Sequence, residues 1–146
     1  MFRVLYARAD GSLCLTTARS GEDVAALVGD QHPEILTSAD GMFDFWFSAR
    51  AWHHDINHVA TEILFAQTDF AARTVPLLRG NVVMCTRDRG GSPSGITDAQ
   101  LECLSEGARG RDRRVLGLRC AREELRHNAR LREYEETEQI ERRYRR

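Results

Sequence analysis

The stretch that most constrains the fold is residues 57–85, where an amphipathic helix is followed by a buried strand. Apolar residues recur every three to four positions over 57–68, which predicts a helix with one apolar face. That face comprises Ile56, Val59 or Ala60, Ile63, Ala66 and Phe70. Pro76 prevents continuation of the helix because it lacks an N–H donor, and the β-branched run at 81–86 predicts a buried strand. A helix that leads into such a strand belongs in a small α/β or α+β domain.

Side chains that can cap helices mark the starts of three predicted helices. Asn57 or Asp55 can cap the helix just described, because a short side-chain oxygen accepts a bond from a free N–H of the first turn. Ser20 can do the same for a short helix that follows it. Thr97 and Gln100 have the spacing of a capping box, which predicts a third helix directly after them.

Further strands complete the predicted domain. The two remaining short helices span 21–28 and 98–105, and the strands span 2–8, 13–17, 34–38 and 43–47. Glycine-containing turns separate neighbouring strands, so the sheet is expected to be mainly antiparallel. We therefore predict an α+β fold, in which short helices pack on a mainly antiparallel sheet and a long Arg-rich helix ends the chain.

The charge is unevenly divided along the chain. Residues 1–108 carry 8 Arg and 14 Asp or Glu, a balance of −6, whereas residues 109–146 carry 13 Arg and 8 acidic residues, a balance of +5. Such asymmetry predicts an acidic folded body and a basic appendage. We accordingly divide the chain into a core domain, 1–106, and a charged helical extension, 107–146.

The long helix predicted over 111–146 carries an apolar stripe in its first half. The stripe fades after Leu131, so we expect the first half to pack on another surface and the end to be solvated. Three interpretations are open: binding of a protein partner or a second copy, contact with nucleic acid through residues 109–146, and packing on its own domain. In the first interpretation the contact residues are Leu118, Ala121, Arg122, Leu125, Arg126, Ala129 and Arg130.

The most chemically suggestive cluster is a histidine-rich run before the helix at 57–68. His54 and His58 would share a face if both were helical, and His53 and Asp55 are further potential zinc ligands. The run has the form His-Asp-x-x-His, in which the acid is shorter than the Glu of the metalloprotease motif. If the helix begins near residue 57, the shared face disappears. We therefore expect solvated histidines and no cofactor, and keep a metal-dependent enzyme at this cluster as a further hypothesis.

A glycine-rich loop at 87–95 is the other candidate for ligand binding, because glycine-rich backbones expose N–H groups to a phosphate. It lacks the lysine of a P-loop and the spacing of a dinucleotide-binding turn, so a plain connector is expected. No nucleophile elbow or Cys/His signature stands out, and we name no catalytic residue.

Cysteine usage and hydropathy bear on the cellular compartment. The four cysteines are far apart and none forms a Cys-x-x-Cys pair; they are Cys14, Cys85, Cys103 and Cys120. No signal peptide is evident, and no apolar run approaches the length of a membrane span. We therefore expect reduced thiols, a cytoplasmic location and no membrane association.

Short motifs along the first two-thirds of the chain are similar to those of a known family. They are a short helix ending in Leu27-Val28-Gly29, the pattern Asn57-x-x-Ala60-Thr61-x-x-Leu64, the pattern Leu78-x-Gly80-Asn81-Val82-Val83, and a closing helix with Leu101 and Leu104. Over about residues 2–105 the chain resembles the DUF3846 family, a small domain of unknown function frequent in actinobacteria and in their phages and plasmids. It departs from the pattern at Asp30, where the family often has glycine, and it adds the helix at 111–146.

The resemblance implies a phage or mobile-element context and brings no catalytic residues. Small proteins of this kind commonly act by binding a host protein, an argument by analogy. The first hypothesis is therefore a non-enzymatic accessory protein that binds a host protein or associates with itself through its C-terminal helix. Nucleic-acid binding through the Arg-rich tail is the alternative.

Overall fold

An antiparallel sheet with helices on both faces forms the fold. The computed structural model describes residues 1–107 and 114–145. Within them the strands are β1 (Phe2–Ala7), β2 (Leu13–Ala18), β3 (Glu34–Thr37), β4 (Asp44–Phe47), β5 (Val82–Arg87) and β6 (Pro93–Ser94). The helices are α1 (Gly21–Val28), α2 (His58–Gln67), α3 (Asp98–Gly107) and α4 (Arg114–Tyr144). The predicted α+β class, with a mainly antiparallel sheet and a long C-terminal helix, is confirmed. The start predicted for that helix at 111 lies outside the described residues.

The sheet has the order β2-β1-β5-β4-β3, and β6 pairs with β5. Strand β5 lies in the middle, and its residues Val82–Thr86 are all buried. The register aligns Leu5 of β1, Met84 of β5 and Phe45 of β4 across the sheet. Since helices cover both faces of β5, its sequence is apolar without alternation, as its unbroken apolar run predicted.

Two layers of apolar contacts lie on opposite faces of the sheet. On one face, Val24 and Val28 of α1 pack with Val4, Val83 and Cys85. On the other, α2, α3 and the first turns of α4 cover a larger cluster; it includes Leu5, Phe45, Ile63, Leu64, Met84, Leu104 and Leu116. The aromatic strand β4 therefore supplies core residues, of which Phe45 is fully buried.

The predicted caps are present. Asn57, not Asp55, caps α2, because its Oδ1 accepts the N–H of the first turn at 3.1 Å. Ser20 caps α1 through an N–H bond of 3.4 Å. The capping box before α3 is reciprocal: Thr97 Oγ1 accepts the N–H of Gln100 at 3.2 Å, and Gln100 Oε1 accepts the N–H of Thr97 at 2.9 Å.

The buried surface of α2 is wider than the stripe predicted from sequence. Besides Ala60 and Ile63, the side chains of Thr61, Leu64 and Phe65 are buried. Phe70, assigned to the apolar face, follows the end of the helix and is 37% exposed. The prediction was wrong at Phe70 because α2 ends at Gln67. It was too narrow elsewhere because α2 lies between the sheet and other helices and is enclosed on more than one side.

Candidate binding surface

The first turns of α4 pack on the body of the protein. Leu116 and Cys120 belong to the main buried cluster, with 1% and 3% of their surface exposed. The Nη1 atom of Arg119 donates to the carbonyl oxygens of Ala72 at 3.1 Å and Val75 at 2.6 Å. Residues of the predicted extension are therefore part of the core.

Packing of α4 on the body ends near His127. The carboxylate of Glu124 pairs with Nε2 of His58, the first residue of α2. One turn later His127 is buried, with 5% of its surface exposed. Every residue from 128 to 145 is exposed. The expectation that the first half of the helix packs and its end is solvated is confirmed.

The apolar stripe predicted as a binding surface lies on the side of α4 that faces away from the body. Leu118 and Leu125 are 61% and 71% exposed, and Ala121 and Ala129 are exposed as well. At about 100° per residue, these four side chains, here called the outer stripe, lie roughly 140–180° around the helix from Leu116. The three arginines named with them are also exposed; they are Arg122, Arg126 and Arg130.

The residues that hold α4 on the body were missed from the sequence. They are Leu116, Cys120 and His127, which also recur at intervals of about one or two helical turns. The helical spacing of these three residues is visible in the sequence. Two of the three are not strongly apolar, so the prediction was based on the leucine and alanine stripe instead. A helix with two such faces is typical of one that packs on its own domain and has a second face available.

A groove runs between α4 and the segment that follows α2. It has a volume of about 600 Å³, and Val115 and Leu118 contribute apolar surface to it. Arg73, Arg122 and Arg126 are among its lining residues. Glu123 lines it too and pairs with Arg126 at 2.9 Å, so the groove combines apolar surface with both signs of charge.

The proposed metal ligands do not form one site. His53 and His54 lie in the loop before α2, with ring centroids 4.4 Å apart, and the carbonyl of Asp55 accepts the N–H of Gly80 at 3.2 Å. His58 is turned toward α4 instead. Within the part of the chain that the structure describes, no three His, Cys, Asp or Glu side chains are grouped as a metal ion requires.

The glycine-rich loop between β5 and β6 binds its own carboxylate. Oδ1 of Asp88 accepts the N–H groups of Gly90 at 2.9 Å and of Ser92 at 3.0 Å. These are two of the N–H groups that a phosphate would need. The loop is therefore a self-contained turn, as expected of a connector.

The thiols provide a test of the packing of α4. Burial raises the pKa of Cys120, as the nearby Glu124 also does, and burial raises the pKa of Cys85 to about 12. Cys103 is exposed. Because the thiolate is the reactive form, we expect iodoacetamide to alkylate Cys103 at least about tenfold faster than Cys120 in the folded protein.

Mass spectrometry of peptides released by cleavage before aspartate, which places Cys103 in 98–111 and Cys120 in 112–146, measures the two rates at successive times. Protein unfolded in guanidinium chloride is the control, since all thiols should then react at similar rates. Alkylation of Cys120 as fast as that of Cys103 in the folded protein would mean that α4 is not held on the body.

No family model, no curated protein and no solved structure matches this chain. The resemblance to the DUF3846 family therefore stays a prediction. None of the described helices is long and apolar enough to cross a membrane.

Proposed function

We propose that this protein is a non-enzymatic binding protein and that the outer stripe of α4 engages a protein partner. The observation that carries the proposal is the exposure of Leu118 and Leu125 on a helix whose other face is buried. Exposed apolar residues in a continuous row on a helix are typical of a helix-mediated interface.

The unsupported length of α4 favours the same function. Residues 128–145 extend about 27 Å beyond the last buried residue, at about 1.5 Å per residue. This part of the helix exposes Tyr134, Ile140 and Tyr144 among its charged residues. A partner that covers it would supply the missing contacts.

The proposed setting is the cytoplasm of a cell that carries a phage or another mobile element. The resemblance to the DUF3846 family supports this setting, and the occupant of the surface is a host protein or a second copy of the chain. Charges on α4 favour a protein over nucleic acid. Arg119 is bonded to two carbonyl groups of the body, and the five glutamates at 133–141 would repel phosphates. Phosphate binding instead requires arginines that release counterions from the backbone.

Substitution of the two exposed leucines tests the proposal. The double variant Leu118→Asp, Leu125→Asp is expected to lose association with itself or with a partner captured from cell lysate, because it places two charges in the apolar contact. The thermal midpoint should change little, since both side chains are exposed. Sedimentation velocity and quantitative capture measure association, and calorimetry measures stability.

Tyr134→Asp is the matched control, because it replaces an exposed apolar side chain of the same helix with a negative charge roughly 180° around the helix from Leu125. It should associate as the unsubstituted chain does. Unaltered association of the double leucine variant would contradict the proposal. Binding of DNA or RNA that falls steeply with salt and requires the arginines of α4 would favour the nucleic-acid alternative.

A further inference from the structure

We propose that the free edge of β2 pairs with the same edge of a second copy of this chain, so that two sheets join across a two-fold axis. This surface is separate from the outer stripe of α4, and the inference goes beyond the proposed function. Strand β2 ends the sheet, and among the described residues no strand pairs with its outer side. An edge strand presents unpaired N–H and C=O groups, which are a template for another strand.

Strand β2 lacks the features by which edge strands usually avoid such pairing. Its six residues, Leu13–Ala18, include no charged residue and no proline, and their register with β1 continues without a bulge. The strand at the opposite edge, β3, is different. It has only four residues, follows Pro33 and begins with Glu34. The contrast favours β2 as the edge that receives a partner strand.

The apolar side chains of β2 are exposed where the helices do not cover them. Leu5 and Leu15 are neighbours across β1 and β2, on the face of the sheet that α2 and α3 cover. Leu5 is 4% exposed, whereas Leu15 is 43% and Leu13 46% exposed. The cover is therefore complete over β1 and incomplete over β2. A strand added beside β2 would remove part of both leucines from water.

The hydrogen bonds of the hairpin fix which backbone groups of β2 are available. The N–H of Arg8 donates to the carbonyl oxygen of Ser12 at 2.9 Å, and bonded pairs alternate with non-bonded pairs along antiparallel strands. The even-numbered residues of β2 therefore bond to β1, and the N–H and C=O groups at 13, 15 and 17 point away from it. The alternation agrees with β1, where the carbonyl of Arg3 points away from β2 and accepts the N–H of Ile96 at 2.9 Å.

The three outward positions are complementary to themselves under a two-fold axis. If Leu15 pairs with Leu15 of the second copy, Leu13 of each copy lies opposite Thr17 of the other. All N–H and C=O groups at these positions then have a partner, which gives about six hydrogen bonds. A pair of this kind uses the same surface on both copies and leaves neither edge free.

The charged residues on either side of β2 fit the same register. Asp10 precedes the strand and Arg19 follows it, and both are exposed. In the two-fold pair, Arg19 of each copy lies opposite Gly11 and beside Asp10 of the other, so opposite charges meet at both ends. The carboxylate of Asp10 also accepts the N–H of Ser12 at 2.9 Å, which holds it at the turn. These charges favour a second copy over an unrelated strand.

The remaining charges near this edge do not oppose the pairing. The turn before β2 carries Arg8 and Asp10, a balance of 0. The segment after β2 carries Arg19, Glu22 and Asp23, a balance of −1. Because these two groups face each other in the two-fold pair, no excess of one sign meets an excess of the same sign.

Substitution of Leu15 tests the pairing. Leu15→Lys places two like charges opposite each other at the two-fold axis, whereas in a single chain the side chain is largely accessible to water. We expect sedimentation velocity on the full chain, between about 1 and 200 µM, to show a dimer of micromolar affinity. Leu15→Lys should weaken it at least about tenfold.

Ile35→Lys is the matched control, because it makes the same change at a similarly exposed residue, 45% against 43%, on the opposite edge strand β3. It should leave dimerisation unchanged. Circular dichroism on both variants verifies that the sheet and helices are retained.

Disulfide formation tests the register. In the two-fold pair Cys14 lies opposite Thr16 of the other copy, in a non-hydrogen-bonded pair whose Cα atoms are about 4.5 Å apart. A disulfide spans that distance. Thr16→Cys should therefore give a disulfide-linked dimer through Cys14 under mild oxidation. Thr17→Cys is the control, since position 17 lies opposite Leu13 and has no thiol opposite it. Non-reducing electrophoresis and mass spectrometry identify the bond.

The outcomes separate this inference from the proposed function. A chain that stays monomeric up to about 200 µM overturns the β2 dimer. A dimer that Leu15→Lys leaves intact, or that Thr17→Cys cross-links as readily as Thr16→Cys, overturns it too. Capture of a partner through α4 should be lost in Leu118→Asp, Leu125→Asp and retained in Leu15→Lys, while the β2 dimer should show the reverse.

Discussion

Replacing Asn57 with alanine is expected to lower the free energy of unfolding by about 3–5 kcal/mol, because one buried side chain joins three parts of the fold. Its Nδ2 donates to the carbonyl of Ala7 at 3.0 Å and to that of Gly80 at 2.8 Å. Its Oδ1 accepts the N–H of Ala60 in α2. The alanine variant loses the helix cap and leaves two buried carbonyl groups without this donor.

Urea denaturation followed by circular dichroism measures the effect. Ser20→Ala is the control, since Ser20 also caps a helix but lies at the surface, and its loss should cost only about 1 kcal/mol. Asn57→Asp keeps the capping oxygen and removes the donor, so near neutral pH it should be at least as unstable as Asn57→Ala. Equal losses for Asn57→Ala and Ser20→Ala would show that the bonds of Asn57 to β1 and Gly80 contribute little.

Substituting Leu116 or Leu118 with aspartate is expected to change the free energy of unfolding by very different amounts, although the residues are only two positions apart. Leu116 is 1% exposed and belongs to the core, so Leu116→Asp should cost about 3–5 kcal/mol or release α4 from the body. Leu118 is 61% exposed, so Leu118→Asp should change stability by about 0.5 kcal/mol or less.

Alkylation of Cys120 distinguishes release of α4 from general unfolding. In Leu116→Asp, Cys120 should react quickly while Cys85, which lies under α1, stays protected. In Leu118→Asp both thiols should stay protected. A loss of stability in Leu118→Asp as large as in Leu116→Asp would show that the face assignment of α4 is wrong.

From the sequence alone we predicted the outer stripe of α4, but not the face by which this helix packs on the body. Leu118, Ala121, Leu125 and Ala129 are apolar at helical spacing, which is a local property. Leu116 and Cys120 are buried because they pack in the main apolar cluster, and Arg119 beside them donates to the carbonyl groups of Ala72 and Val75. The contact of Arg119 with the segment after α2 joins residues more than 40 positions apart, so the periodicity of the helix could not predict it.

The histidine cluster also shows that local sequence patterns do not predict contacts between distant segments. His53, His54, Asp55 and His58 are neighbours in sequence, and their spacing suggested a shared face. The helix begins at His58 because Asn57 is its cap, so the first three lie before it and His58 contacts Glu124 from a distant helix. Spacing indicates a common face only where one helix contains all the residues.

The sequence by itself determined the elements of this protein, because caps, turns and hydrophobic periods act over a few residues. The capping box of Thr97 and Gln100, the cap at Ser20 and the buried run of β5 are all local and were all predictable. Only the tertiary structure decided which side of α4 is covered, since either apolar row could have packed on the body. Packing of distant segments made that choice, and it left the outer stripe exposed to solvent.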